Sequence, residues 1–100
     1  QAEIDAVFFT SDVYAVGAIL ACRELGIDVP GQMGIAGFHD LEIGRVVSPT
    51  LTTVRVPAME MGQKAGHMIL ARLAGKRLPR LRQDLGFSII RRESTRRAPR

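Results

Sequence analysis

The chain has 100 residues, enough for one small domain or part of a larger one, and 46% of its residues are apolar. No apolar run approaches the roughly 20 residues of a membrane-spanning helix, and no charged segment followed by an apolar run near Gln1 predicts a signal peptide. A strand is predicted within a few residues of Gln1, so we expect the sequence to be a piece of a longer protein. The single cysteine, Cys22, excludes an intrachain disulfide and is expected to be a buried apolar thiol.

The net charge of +4 is unevenly distributed. Residues 1–75 carry five Lys/Arg and eight Asp/Glu, whereas residues 76–100 carry nine and two. Such a basic segment can attract phosphates. Because no aromatic residue after Phe87 could stack on bases, we favour a solvent-exposed basic tail at 96–100 over a nucleic-acid-binding patch.

The first part of the chain predicts a strand and a helix. The apolar run Ile4–Thr10 is typical of a strand covered on both faces. Thr10 or Ser11 can cap a helix over Asp12–Leu25, and Gly26 supplies the left-handed residue that ends it. This helix is apolar nearly all round. We therefore expect one face to cover the sheet and another to meet a missing part of the chain or a second subunit.

Two further strands flank a short helical segment. Met33–Phe38 and the β-branched run Leu51–Val56 predict strands. Between them, Asp40–Val47 predicts a short helix or turn with Asp40 as its cap.

The last part of the chain predicts a helix and two weaker strands. Pro57 suits the start of a helix over Ala58–Leu73. Gly62 and Gly66 lower its helix propensity, so we expect them to allow close packing onto a sheet. The weaker strands are Leu81–Leu85 and Phe87–Arg92. The alternation of strands and helices predicts an α/β fold with a parallel sheet and right-handed crossovers.

Polar residues follow the first two predicted strands where each one ends. Thr10, Ser11 and Asp12 follow the first strand, and Phe38, His39 and Asp40 stand at the end of the second. In open parallel α/β sheets, ligands bind just beyond the carboxyl ends of the strands. The sequence therefore predicts a small-molecule pocket at these two strand ends.

His39 has two interpretations. It is either a loop histidine bonded to a neighbouring carbonyl or to Asp40, or a ligand contact. Its position immediately after a buried strand favours the ligand contact, since pockets in this architecture open there. The second histidine, His67, lies at the polar edge of its helix and is expected to be solvated.

Other chemistry is disfavoured. Ser11, His39 and either Asp12 or Asp40 offer the residue types of a hydrolytic triad, but no Gly-x-Ser-x-Gly elbow is present. The glycines lack the Gly-x-Gly-x-x-Gly spacing of a dinucleotide loop, and the histidines lack metal-ligand spacing. We therefore predict no enzyme activity, no cofactor and no metal.

Several segments, in order and spacing, resemble the LacI/GalR transcriptional repressors over about Asp5–Thr95. They are Asp5–Phe8, Ser11–Ala18, Leu25–Pro30, Ile35–Phe38, Ser48–Val54 and Arg91–Thr95. The resemblance implies part of a periplasmic-binding-protein-like (type I) fold, whose two α/β subdomains hold an effector in the cleft between them. Residues 1–56 would belong to the C-terminal subdomain, 57–86 would cross to the N-terminal subdomain, 87–95 would form the returning strand, and 96–100 the tail.

The resemblance also implies roles for individual residues. Ser11 matches a polar position that touches the effector, and Asp12 matches the acidic residue beside it. His39 stands where most members carry Asp, and an imidazole can donate or, as imidazolium, pair with an anion. The Gly-Phe-His motif that contains Phe38, followed by an Ile-Gly pair, resembles the gluconate-repressor branch. It implies a sugar acid such as gluconate as the effector.

The resemblance further implies a cytoplasmic homodimer. Its contacts would include Val16, Ile19 and Val47, and operator DNA would be bound only through a helix-turn-helix head that this sequence does not contain. The alternative is a periplasmic sugar-binding protein of an ABC transporter, which shares the fold. The motifs at Val29-Pro30 and Ser48–Val54 favour the repressor. We also expect the isolated segment to associate, or to depend on the rest of its protein, because uncovered apolar surfaces invite association.

Overall fold

The computed structural model describes residues 3–80 and 82–96. Its elements are β1 (Ala6–Phe8), α1 (Asp12–Leu25), β2 (Gly34–Ala36), α2 (Ile43–Val46), β3 (Thr53–Arg55), α3 (Ala58–Leu73), β4 (Ser88–Ile90) and a 3₁₀ turn at Glu93–Thr95. The described residues up to Arg55 and from Ser88 onward form a first compact unit, and Val56–Phe87 form a second. None of the described helices is long and apolar enough to cross a membrane. The assignment of these units to two subdomains stays a prediction, and most of the predicted tail at 96–100 lies outside the described residues.

The sheet of the first unit is parallel at its centre, as predicted. β1 and β2 run parallel, and a parallel bridge between Ala36 and Thr52 links β2 to the residue before β3. β4 pairs with β3 in the antiparallel sense, with Arg55 opposite Ser88. The antiparallel direction of β4 follows from the connection between the two strands. The chain leaves β3 at Arg55 and begins β4 at Ser88 beside it, so β4 runs back along β3. Each strand is shorter than its apolar run predicted.

Helix α1 has the predicted bounds and caps. The Ser11 hydroxyl accepts a hydrogen bond from the N–H of Val13 at 3.2 Å. Gly26 ends the helix at φ 74°, a left-handed conformation that glycine adopts without steric cost. The buried apolar side chains of the first unit are Ala15, Val16, Ile19, Cys22, Ile35 and Leu51. Cys22 is buried, as predicted.

Part of the apolar surface of the first unit is exposed. On α1, Val13, Tyr14 and Leu20 are exposed, so an apolar face of this helix is uncovered in the first unit. That a missing part of the chain or a second subunit covers it stays a prediction. On β1, Phe8 is 57% exposed. The prediction that this strand is covered on both faces is therefore wrong for the described residues, because they leave part of its apolar surface without a packing layer.

The second unit consists of α3 and the segment that follows it. Helix α3 has the predicted bounds, but none of its side chains is buried, and His67 is exposed, as expected. A Cβ atom built on Gly62 or Gly66 meets no heavy atom within 4 Å apart from the adjoining residues and the backbone of α3 itself, so the predicted close packing on a sheet is not found in the described chain.

The predicted strand Leu81–Leu85 is also wrong for residues 82–85, which are not in a strand; Leu81 lies outside the described residues. The N–H of Gly86 instead donates to Oδ1 of Asp84 at 2.8 Å in a local turn. A strand needs a hydrogen-bonding neighbour, and the described residues supply none at this segment.

Candidate functional site

The segments that follow β1 and β2 lie side by side, because the two strands are parallel neighbours. The N–H of Phe9 donates to the carbonyl of Ala36 at 2.8 Å, and the N–H of Asp12 donates to the carbonyl of Phe38 at 3.1 Å. The predicted site residues Ser11, Asp12, Phe38 and His39 therefore share one edge of the sheet. Effector contact by these residues stays a prediction.

The carboxylate of Asp12 is fully buried and bonded inside the unit. Its Oδ1 accepts a hydrogen bond from Oγ1 of Thr53, and its Oδ2 accepts one from the N–H of Leu41, both at 2.7 Å. Asp12 thus connects the start of α1 to β3 and to the segment after His39. Gly37 lies against this carboxylate, and a Cβ atom there would overlap Oδ1.

His39 and Asp40 form a turn with strained backbone geometry. Their φ angles are 103° and 56°, in the region that glycine favours. Such conformations cost on the order of 1–3 kcal/mol each and persist only where surrounding contacts enforce them. Here the N–H of His39 donates to the carbonyl of Val54 at 2.9 Å, and the N–H of Asp40 donates to Oγ1 of Thr53 at 3.2 Å. These two hydrogen bonds fix the backbone of the turn against β3.

The side chain of His39 is exposed and packs edge-to-face on Phe38, with ring centroids 4.7 Å apart. No described residue forms a hydrogen bond with its imidazole, so the alternative of a bond to Asp40 or to a neighbouring carbonyl is not found in the described chain. Both ring nitrogens therefore remain available to a ligand.

Asp40 does not cap a helix, and that prediction is wrong. Helix α2 begins at Ile43, after Glu42, without a side-chain cap. The Asp40 carboxylate instead binds three guanidinium groups. Oδ2 accepts from Arg45 at 3.0 Å and from Arg55 at 2.7 Å, and Oδ1 accepts from Arg92 at 2.8 Å.

This arrangement keeps Asp40 ionised. Burial of the carboxyl opposes ionisation, but hydrogen bonds from Arg45, Arg92 and Arg55 outweigh it and hold the pKa of Asp40 well below its ordinary value. The three partners lie 5, 52 and 15 residues away in the sequence, respectively. No local pattern marks them, which is why sequence reasoning missed the cluster.

The hydrolytic arrangement is not formed by the described residues. The Ser11 hydroxyl accepts from the backbone of Val13, the Asp12 carboxylate is occupied by Thr53 and Leu41, and the Asp40 carboxylate is held by arginines. Neither carboxylate forms a hydrogen bond with His39. The imidazole, which would act as the base of a triad, therefore has no carboxylate to orient it.

The residues predicted at a dimer interface lie in the core of the first unit. Val16 is 8% exposed and Ile19 is 2% exposed, while Val47 is half-buried against the same core. Their contact with a second copy stays a prediction. The exposed apolar side chains of α1 near them are Val13, Tyr14 and Leu20.

Comparison with known proteins identifies related chains. Residues 1–95 match the family described as periplasmic binding protein-like domain. The HTH-type transcriptional regulator GntR of Escherichia coli K12 is 42% identical over 87 residues, which cover 87% of this chain and 26% of that protein. The chain thus spans about a quarter of the length of the curated relatives it matches.

Solved structures show the same relationship. The transcription regulator GntR from Chromobacterium violaceum superimposes with a TM-score of 0.81 at 38% identity, covering 93% of this chain and 34% of that one. The transcriptional regulator CelR in complex with cellobiose superimposes with a TM-score of 0.84 at 28% identity, covering 92% of this chain and 28% of that one.

Proposed function

Because this chain belongs to the periplasmic binding protein-like domain family, in the form carried by LacI-type transcriptional regulators, we propose that it is the effector-sensing part of such a regulator. One observation carries the proposal. The parallel pairing of β1 and β2 brings the segment at Ser11 and the segment at His39 to one sheet edge. This edge is where open α/β sheets bind small molecules.

The effector is a sugar acid such as gluconate. An exposed imidazole with no hydrogen-bond partner in the described chain can donate to a carboxylate or, when protonated, pair with it. An Asp at position 39 would instead accept hydrogen bonds from neutral hydroxyls. Ser11 and Phe38 would contact the remainder of the ligand. Asp12, predicted as a further contact, is fully buried, and in this proposal it holds the edge in place through Thr53 and Leu41.

Sensing then works by coupling ligand binding to the geometry of the complete regulator. The effector would bind between this sheet edge and a facing subdomain, and operator DNA would be bound by a helix-turn-helix head in another part of the protein. A homodimer would pair two such heads. The exposed apolar side chains Val13, Tyr14 and Leu20 support association through α1. No catalytic step is part of this function.

Calorimetry on the complete protein that carries this segment tests the proposal. Gluconate is expected to bind more tightly than glucose, a neutral aldose, and His39→Ala is expected to weaken gluconate binding. His67→Ala is the matched control, because His67 is an exposed histidine on α3. Equal binding of glucose and gluconate, or unchanged gluconate binding by His39→Ala, would contradict the proposal.

The periplasmic sugar-binding protein is less well supported than the regulator, since the relatives named above are transcriptional regulators. The reading frame upstream of this segment separates the two functions. A helix-turn-helix sequence is expected there, and a secretory signal in its place would favour the transporter component.

A further inference from the structure

Three guanidinium groups surround the single carboxylate of Asp40. Oδ1 accepts from Arg92, and Oδ2 accepts from both Arg45 and Arg55. One carboxylate with two oxygens therefore meets three multidentate donors.

The three arginines differ in how many of their donors are used. A guanidinium has five N–H donors. Arg92 has a side chain only 15% exposed and also donates to the carbonyl of Leu51 at 3.0 Å. Arg55 donates to Asp40 from both Nε and Nη2, at 2.8 and 2.7 Å. Arg45 donates from Nη2 alone, at 3.0 Å.

Arg45 and Arg55 are also accessible. Their side chains are 52% and 51% exposed, whereas the Asp40 side chain is 2% exposed. Arg92 and Arg55 together already hold both oxygens of Asp40, so Arg45 is not required to satisfy this carboxylate. Asp40 therefore serves to orient exposed guanidinium groups that have free donors.

Both accessible arginines contact the residue next to the exposed imidazole. Arg45 and Arg55 bind the carboxylate of Asp40, which directly follows His39. Arg55 also directly follows Val54, whose carbonyl accepts the N–H of His39 at 2.9 Å.

We propose that Arg45 and Arg55 form an anion-binding subsite beside His39, which binds the acidic group of the effector. The planar guanidinium matches a carboxylate or a phosphate through paired N–H donors. The subsite rests on the proposed function, in that the effector binds at this sheet edge. In this subsite, Arg45 and Arg55 select the charged group of the effector. Asp40 is the positioning residue that holds the two guanidinium groups.

Calorimetry of the complete protein with gluconate and sorbitol tests the subsite. The two ligands share a six-carbon polyol chain and differ at C1, where gluconate has a carboxylate and sorbitol a hydroxymethyl group. Arg45→Gln is expected to weaken gluconate binding about tenfold, the size of one lost charged hydrogen bond, and to leave sorbitol binding unchanged. Arg45→Lys keeps the charge and is expected to retain part of the affinity.

Arg91→Gln is the matched control, because Arg91 is exposed just beyond β4 and forms no ion pair with Asp40. Arg55→Gln is the second variant, and circular dichroism verifies that each variant folds. Binding of glucose 6-phosphate is compared with binding of glucose in the same way, to test a phosphate group in place of a carboxylate. A preference for glucose 6-phosphate that Arg45→Gln abolishes would assign the subsite to a phosphate rather than a carboxylate.

The outcomes separate the two proposals. If gluconate binding depends on His39 but not on Arg45 or Arg55, the subsite is overturned and the sugar-acid effector stands. If the wild-type protein shows no preference for either charged ligand over its neutral partner, both the subsite and the sugar-acid effector are overturned.

Discussion

The hydroxyl of Thr53 donates to Oδ1 of Asp12 across 2.7 Å, joining side chains 41 residues apart in the sequence. Asp12 is the first residue of α1, and Thr53 is the first residue of β3. Both side chains are buried. This bond ties the helix start that follows Ser11 to the strand that holds His39 through Val54.

Thr53→Val is expected to destabilise the complete protein by about 2 kcal/mol. The substitution keeps the shape of the side chain but removes the bond to the buried Asp12 carboxylate and the acceptor of the Asp40 N–H. A hydrogen bond to a charged group contributes about 1.5–3 kcal/mol. Urea unfolding measures the loss. Thr53→Ser, which keeps the hydroxyl, is the control and is expected to lose less; a Thr53→Val variant that loses no more stability than Thr53→Ser would contradict a stabilising role of the hydroxyl.

Gly37→Ala is expected to destabilise the fold by roughly 1–3 kcal/mol or more. The new Cβ would overlap Oδ1 of Asp12 and lie 3.2 Å from Cβ of Ala15, and Asp12 cannot move without breaking its buried bonds. Gly17→Ala in α1 is the matched control. Apart from the adjoining residues and the backbone of α1 itself, no heavy atom of the described chain lies within 4 Å of a Cβ there, so it is expected to stabilise the helix by about 0.5–1 kcal/mol. Thermal unfolding that shows the same sign for both variants would contradict this packing.

The Asp40 ion pairs predict a defined pH dependence. The pKa of Asp40 is lower in the folded state than in the unfolded state, because hydrogen bonds from the arginines outweigh its burial. Its stabilising contribution is therefore complete above the unfolded pKa of about 3.9 and is lost as the pH falls below that value. Asp40→Asn should be destabilised by roughly 3 kcal/mol at pH 7, as for a buried pair that loses one partner.

Urea unfolding of Asp40→Asn and wild type between pH 7 and pH 2 measures this contribution. The difference in the free energy of unfolding should stay constant down to about pH 4 and shrink below it. Glu24→Gln removes an exposed carboxylate of α1 and is the control. A difference that disappears already near pH 6 would rule out the lowered pKa.

His39→Gly is expected to stabilise the fold while weakening effector binding. Glycine adopts the φ of 103° found at His39 without the strain of about 1–3 kcal/mol that a side chain incurs. Thermal unfolding and calorimetry with gluconate measure the two effects on one variant. A His39→Gly variant that is no more stable than His39→Ala, which loses the same ring but keeps a side chain at this φ, would contradict the strain.

The isolated segment is expected to associate in solution. Val13, Tyr14 and Leu20 are exposed on α1, and contiguous apolar surface promotes association. Tyr14→Glu is expected to shift the light-scattering mass toward the monomer. Gln63→Glu on α3 adds the same charge at an exposed position outside this face and is the control. A monodisperse wild-type segment that unfolds cooperatively as a monomer would contradict the expectation.

The sequence by itself determined the two long helices, α1 and α3, and the location of the candidate site. The bounds of α1 and α3 follow from local signals, namely the Ser11 cap, the left-handed Gly26 and the helix start after Pro57. Such signals act over a few residues and can be read without the fold. The parallel pairing of β1 and β2 followed from the α/β alternation, which placed Ser11 and His39 at one edge.

The tertiary structure alone decided which groups hold that edge. Arg92 reaches Asp40 from 52 residues away, and Thr53 reaches Asp12 from 41 residues away. Partners at such distances are set by strand register and by the path of the connections, which no local periodicity encodes. The strained φ of His39 is likewise enforced by β3 rather than by the sequence of the turn. Asp40, expected to cap a short helix, thereby became the centre of an arginine cluster, because burial beside three guanidinium groups outweighs its local capping preference.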